Sequence, residues 1–215
     1  MDLLKAMRLF FVCVILLGSV VTLPAASLPV GPENTAPAQP GTMAPAVPVQ
    51  TPEGTAVDLL ALVREQPTVL IVYRGGWCPF CSAHLGEIAE LEPALLELGY
   101  RVVAISPERP ETLKKLLMEA PTDTPHRLLY SDRAMHASMG LGLAYAMPTN
   151  LQKRYLEHGI DLAPVPESEG QHWLPVPAAF IFDREGAIAF SYANPDYRTR
   201  VDAEDLLAAA RAALE

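Results

Sequence analysis

Cysteine is scarce in this chain, three in 215 residues, which excludes a small fold stapled by several disulfides. Long apolar runs are scarcer: residues 9–23 form the one example, so a polytopic membrane protein is excluded. Basic side chains number 16 against 25 acidic ones, for a formal net charge of -9. That balance argues against nucleic acid, or an anionic membrane, as a partner held by bulk charge, because counterion release needs clustered Lys and Arg. Nor is hydrophobicity lacking: half the residues are apolar, which excludes a chain too polar to fold. Partner choice therefore falls to a local site, carried on one domain with some chain to spare.

The spare chain lies at the N-terminus. Lys5 and Arg8 precede the apolar run, which Gly18, Ser19 and Thr22 interrupt, and Ala25, Ala26 and Ser27 follow it as small residues suited to a peptidase. The run is shorter than the roughly 20 residues a spanning helix needs. Residues 1–27 are therefore read as a cleaved secretory signal, and the protein as exported to an oxidising compartment such as a periplasm. The alternative is an N-terminal segment left uncleaved as a membrane anchor. Cys13 lies within the apolar run and leaves with the signal, so the mature chain keeps two cysteines.

Residues 28–44, rich in proline, alanine and glycine without hydrophobic periodicity, read as an extended linker. Residues 45–215 read as one α/β domain. Two continuous apolar, β-branched runs, 68–74 and 101–106, predict buried parallel strands. Between them Leu85, Ile88, Leu91, Leu95 and Leu98 recur at helical spacing up to Gly99, which completes a βαβ unit. A helix is expected over 110–120, a strand over 126–132, a hairpin over 178–193 turning at 183–186, and a closing helix over 202–214. Residues 135–175 read as an insertion of one or two helices, with its apolar residues in the core rather than around a cofactor.

Chemistry concentrates in YRGGWCPFC, residues 73–81. Pro79 suits a first helical position, which places Cys78 at the helix N-terminus, where free N–H groups and the dipole favour a thiolate. Cys81, one turn along, is placed to attack a mixed disulfide on Cys78. Cys78 is thus the expected nucleophile and Cys81 the resolving thiol. Trp77 would shield the sulfurs; Arg74 adds positive charge or simply faces solvent at the strand end. A structural disulfide closing so short a loop constrains the unfolded chain little. A metal site of Cys78, Cys81 and His84 lacks the usual fourth ligand, so no metal or other cofactor is assigned and His84 is read as a polar helix residue.

The strand, GWCPFC, the long helix and a proline before the hairpin together resemble the thioredoxin superfamily and, within it, the redoxin or AhpC/TSA group of peroxiredoxin-like proteins, over about residues 47–214. The resemblance implies a thioredoxin-like α/β fold, a central mixed sheet flanked by helices, with Pro177 as the cis-proline beside the active pair. It implies a thiol-disulfide oxidoreductase, alternatively a thiol-dependent peroxidase. The implied partners are a protein or small-molecule disulfide, or a hydroperoxide, and a thiol reductant. Peroxiredoxins carry P-x-x-x-[ST]-x-x-C, and this chain departs from it: counting back from Cys81 gives Cys78 and Arg74, and from Cys78 gives Gly75 and Ile71. Pro177 also stands where the family has an arginine, and Val72 where thioredoxins have a buried acid. With those activating groups missing from their usual places, slow peroxide chemistry is expected.

Overall fold

A computed structural model of the chain describes residues 28–119 and 128–214. The expected signal segment and its Cys13 lie outside the described residues, as do residue 120 of the helix expected over 110–120 and residues 126–127 of the expected third strand. In chain order the elements are β1 (Pro48–Gln50), β2 (Ala56–Asp58), α1 (Leu59–Glu65), β3 (Thr68–Val72), α2 (Pro79–Glu97), β4 (Arg101–Ser106), α3 (Pro110–Glu119), β5 (Leu128–Ser131), α4 (His136–Gly140), β6 (Ala144–Ala146), α5 (Thr149–Glu157), β7 (Ala163–Pro164), β8 (His172–Pro175), β9 (Ala178–Phe182), β10 (Ile188–Ala193) and α6 (Ala203–Ala212).

Seven strands form one sheet in the order β10-β9-β3-β4-β5-β1-β2. The apolar runs become its centre because a strand covered on both faces cannot present polar side chains to either. All five residues of β3 are buried. It pairs in parallel with β4, Val72 opposite Ile105, and antiparallel with β9, Val72 opposite Ala178. Alternation along β3 divides the core. Val69, Ile71 and Tyr73 pack with Ile88 and Leu95 of α2 and Leu206 and Ala210 of α6. Leu70 and Val72 face the opposite layer of Leu59, Leu62 and Val63 from α1 and Leu141, Leu143, Tyr145 and Met147 from the insertion.

The insertion differs from its expected helices. It contains α4 and α5, and also a second sheet, β6-β8-β7, of strands two to four residues long. Its apolar side chains do join the core, as their spacing predicts. β1, β2 and α1 are likewise absent from the sequence reading; Asp58 caps α1 by accepting from the Ala61 N–H at 2.8 Å.

Residues 28–44 run largely extended, broken by one 3-10 turn at Pro32–Asn34, and they do not hang free. Val30 bridges Ala146 and Met43 bridges Ala187, while the Ala38 N–H donates to the Leu141 carbonyl and the Ala44 N–H to that of Gly186. Proline cannot donate, yet the intervening residues can, so a proline-rich strap is held through its backbone. Gly142, at φ +68, lies beneath it where a Cβ would come within 2.0 Å of the Ala36 carbonyl oxygen.

Pro177 precedes β9 as expected, but its peptide bond is trans, no cis bond occurring among the described residues. β8 is paired up to Pro175 and the Val176 N–H donates to the Leu143 carbonyl, so the chain passes extended from one sheet into the other.

Candidate active site

The end of β3 turns sharply into α2. The Tyr73 N–H still donates to the Ile105 carbonyl, and the Cys78 N–H closes a turn onto the Gly75 carbonyl at 3.1 Å. Gly75, at φ +140, is required there, since a Cβ would stand 2.3 Å from the Trp77 indole nitrogen. The Gly76 N–H donates to the buried carboxyl group of Glu108, which also accepts from the Ser106 hydroxyl at 3.1 Å. Cys78 is the N-cap of α2 with Pro79 in its first turn, as the motif predicts, and its carbonyl accepts from the Cys81 and Ser82 N–H groups. That geometry sets the positive end of a long helix, with the Cys81 backbone N–H, against the first cysteine.

Both cysteines are free thiols and both are buried, each 1% exposed. They share a proton unequally. Cys78 is pulled down to about 6, first by the hydrogen bond from Cys81 and then by the charges of Arg74 and Arg200, against the cost of burial. Cys81 is pushed up because the neighbouring thiolate holds its proton and because it is buried. Both shifts favour ionisation at Cys78 with the shared proton on Cys81.

Arg74 does not face solvent. It is 2% exposed, enclosed by Tyr197 at 4.2 Å from its guanidinium carbon, Trp77 at 5.1 Å and Tyr155 at 5.4 Å. Nη2 donates to the Tyr155 hydroxyl at 2.8 Å, and Nη1 points to Cys78 Sγ at 4.0 Å. Aromatic faces replace water around a cation that would otherwise be costly to bury. On the other side, Arg200 Nη2 lies 3.5 Å from Cys81 Sγ. Two arginines thus approach the sulfurs from positions other than the one where the family carries its arginine. Arg200, Tyr155 and Tyr197 carry no motif; a cluster of half-buried rings drawn from the insertion and from the segment after β10 is legible only after folding.

Cys78 forms part of a cavity of about 290 Å³, lined also by Arg74, Trp77, Tyr155, Tyr197 and Ile160. Trp77 packs against the cluster that holds both cysteines and meets Tyr155 edge to face at 5.4 Å. Pro79 and Phe80 complete the wall on the helix side, whereas Pro177 is not among the lining residues. His84 is not a helix-surface residue. It is buried, its Nε2 has no hydrogen-bond partner, and burial together with the nearby Arg200 charge lowers it to about 4, so it stays neutral. It does not join the cysteines as a ligand set; among the described residues no three His, Cys, Asp or Glu side chains converge on a possible metal position. Likewise, no described helix is long and apolar enough to cross a membrane.

The same architecture occurs in peroxiredoxins. A cysteine-to-serine variant of peroxiredoxin 6 of Arenicola marina is 17% identical, with a TM-score of 0.60 over 81% of this chain and 72% of its own. The peroxidoxin BcpB of Mycobacterium tuberculosis is 18% identical, with a TM-score of 0.58 over 81% of this chain and 97% of its own. Reduced Prx3 of Vibrio vulnificus, in complex with hydrogen peroxide, is 20% identical, with a TM-score of 0.62 over 81% of this chain and 96% of its own. Those identities establish the thioredoxin-like fold and no more. No curated protein matches the chain. The model of the AhpC/TSA family matches residues 40–191, a span that contains both cysteines and the sheet that places them, and the chain is a member of that peroxiredoxin-like family of thiol oxidoreductases.

Proposed function

We propose that the protein is a thiol-dependent peroxidase in which Cys78 attacks a hydroperoxide and Cys81 resolves the product. The observation that carries this reading is the near-complete burial of Cys78, the thiol with the lowered pKa, beside a cavity of about 290 Å³. A protein disulfide has to bring its own backbone up to the nucleophile, whereas a hydroperoxide diffuses in. One structure of the same fold, that of Vibrio vulnificus Prx3, holds hydrogen peroxide.

The Cys78 thiolate takes the terminal oxygen of ROOH, the O–O bond breaks, and the leaving alkoxide or hydroxide accepts the proton that Cys81 held. Cys81, now a thiolate, attacks the Cys78 sulfenic acid; the S–S bond forms, the S–O bond breaks and hydroxide leaves. An external thiol then reduces the disulfide. Arg74 stabilises the starting thiolate and Trp77 limits the approach of bulk solvent.

Thiol-disulfide exchange is the second reading, favoured by the lowered Cys78 at a helix N-terminus. The export expected from residues 1–27 is compatible with either. Purified full-length protein supplied with dithiothreitol distinguishes them. Consumption of hydrogen peroxide, abolished in Cys78→Ser and without matching insulin reduction, supports the peroxidase. Cys78-dependent insulin reduction without peroxide consumption overturns it.

A further inference from the structure

Each sulfur has its own arginine. Arg74 belongs to Cys78, and no step of the scheme above accounts for Arg200. We propose that Arg200 is a catalytic group of the resolving step, its guanidinium holding the negative charge on Cys81 Sγ while that sulfur attacks oxidised Cys78. The proposal rests on the reading of Cys78 as the first nucleophile and Cys81 as the second.

The contact is direct and the arginine is fixed. Nη2 lies 3.5 Å from Cys81 Sγ, while Nη1 donates to the Thr199 carbonyl at 2.9 Å and to that of Tyr197. Arg200 stands in the segment between β10 and α6, two residues before Asp202, whose side chain caps α6 by accepting from the Glu204 N–H at 2.8 Å. That helix packs on α2, which carries Cys81. A guanidinium tied down on one side and presented to sulfur on the other needs little reorganisation when charge develops.

The need for such a group follows from the sequence of charges. While Cys78 is a thiolate it holds the Cys81 proton, and Cys81 has no reason to ionise. Once Cys78 carries oxygen or another sulfur, its negative charge is gone, and Cys81 must become the anion in a site from which it is 1% exposed. Burial alone opposes that ionisation. The groups around Cys81 are few. Tyr73, at the end of β3, is neutral, its hydroxyl pushed far above its ordinary range by burial and by Glu108. His84, one turn along α2, is neutral as well. Arg74 reaches Cys81 through its backbone, its guanidinium being held in the aromatic cage on the Cys78 side. Arg200 is the cation whose side chain touches Cys81 among the described residues. Its charge lowers both thiols, but its contact is with the second.

The test isolates Cys81 and uses no oxidant, so it succeeds or fails independently of the peroxidase reading. In full-length protein carrying Cys13→Ser and Cys78→Ser, which leaves Cys81 as the one cysteine of the chain, the ultraviolet absorbance of the Cys81 thiolate is followed against pH, alone and with Arg200→Met, Arg200→Gln or Arg200→Lys. Removing the charge in Arg200→Met or Arg200→Gln is expected to raise the midpoint by about one pH unit or more, a tenfold fall in the ionisation constant. Gln retains a donor for the loop carbonyls and so stands in for Met if that variant does not fold. Lys, which keeps the charge, is expected to hold the midpoint within a few tenths of a unit. An unmoved midpoint in the neutral variants overturns the proposal, and so does an equal rise with Lys, which would assign Arg200 to loop structure alone.

Discussion

Arg74→Met removes the caged charge and leaves a polarizable apolar chain to fill the space among the three rings. At the observed 4.0 Å between Nη1 and Cys78 Sγ, two unit charges interact by about 4 kcal/mol at an effective dielectric constant near 20. That corresponds to at most about three pKa units. The Cys81 hydrogen bond and the Arg200 charge remain in the variant, and water can enter where the guanidinium was. The expected rise is therefore roughly one to two units. Starting from about 6, the thiolate fraction at pH 7 falls from about 0.9 to between about 0.5 and 0.1. The rate constant with hydrogen peroxide at pH 7 should drop by a factor of roughly two to ten from ionisation alone. By pH 9 the two proteins should nearly converge. The assay is the thiolate absorbance titration paired with stopped-flow Trp77 fluorescence across the same pH range. A midpoint that does not move would refute the assignment of Arg74 to the thiolate. A rate deficit that persists undiminished at pH 9 would show that Arg74 acts on the oxidant rather than on the sulfur.

Cys81→Ala is expected to raise the Cys78 midpoint more than Arg74→Met does, because the Cys81 hydrogen bond is the largest cause of its lowering. Cys81→Ser, whose hydroxyl still donates, should raise it less, and the same titration reads both. His84 is neutral in the fold down to about 4 but ionises near 6.5 when unfolded, so its contribution is lost as pH falls below about 6.5. His84→Leu should therefore gain about 2 kcal/mol relative to the parent between pH 8 and pH 5, read from denaturant midpoints. Asp132, raised by burial to about 6, acts in the opposite sense but equally in both proteins, so a parallel pH dependence would contradict the buried neutral histidine. Gly142→Ala combines a positive φ with a clash against the strap carbonyl, at a cost of about 1 to 2 kcal/mol for the backbone alone. Faster limited proteolysis within residues 28–44 is the expected result, and an unchanged digestion rate would exclude Gly142 as the strap's seat.

The elements legible from sequence were those whose burial is continuous. β3 and β4 are apolar at every or nearly every position, and α2 repeats leucine at helical spacing, so their types and order follow from period alone. The N-cap position of Cys78 was equally legible, because proline after cysteine suits one turn of helix better than any other. β6, β7 and β8 were not, since two to four residues contain no period to detect. The strap escaped because its attachments are backbone bonds, to which a side-chain pattern is blind. Arg200 escaped for a different reason: it meets Cys81 across 119 residues of chain, and an isolated arginine carries no signal of its partner. Arg74 was visible but ambiguous, as burial of a cation depends on Tyr155 and Tyr197, which only the tertiary fold brings to it.

The strap also sets a distance. As a free polyproline-like tether, residues 28–44 would span about 50 Å. Docked from Val30 beside Ala146 to Met43 beside Ala187, those residues give up that reach to the body of the domain. Chain that precedes residue 28 therefore joins the domain at its surface beside Ala146 rather than through a long tether.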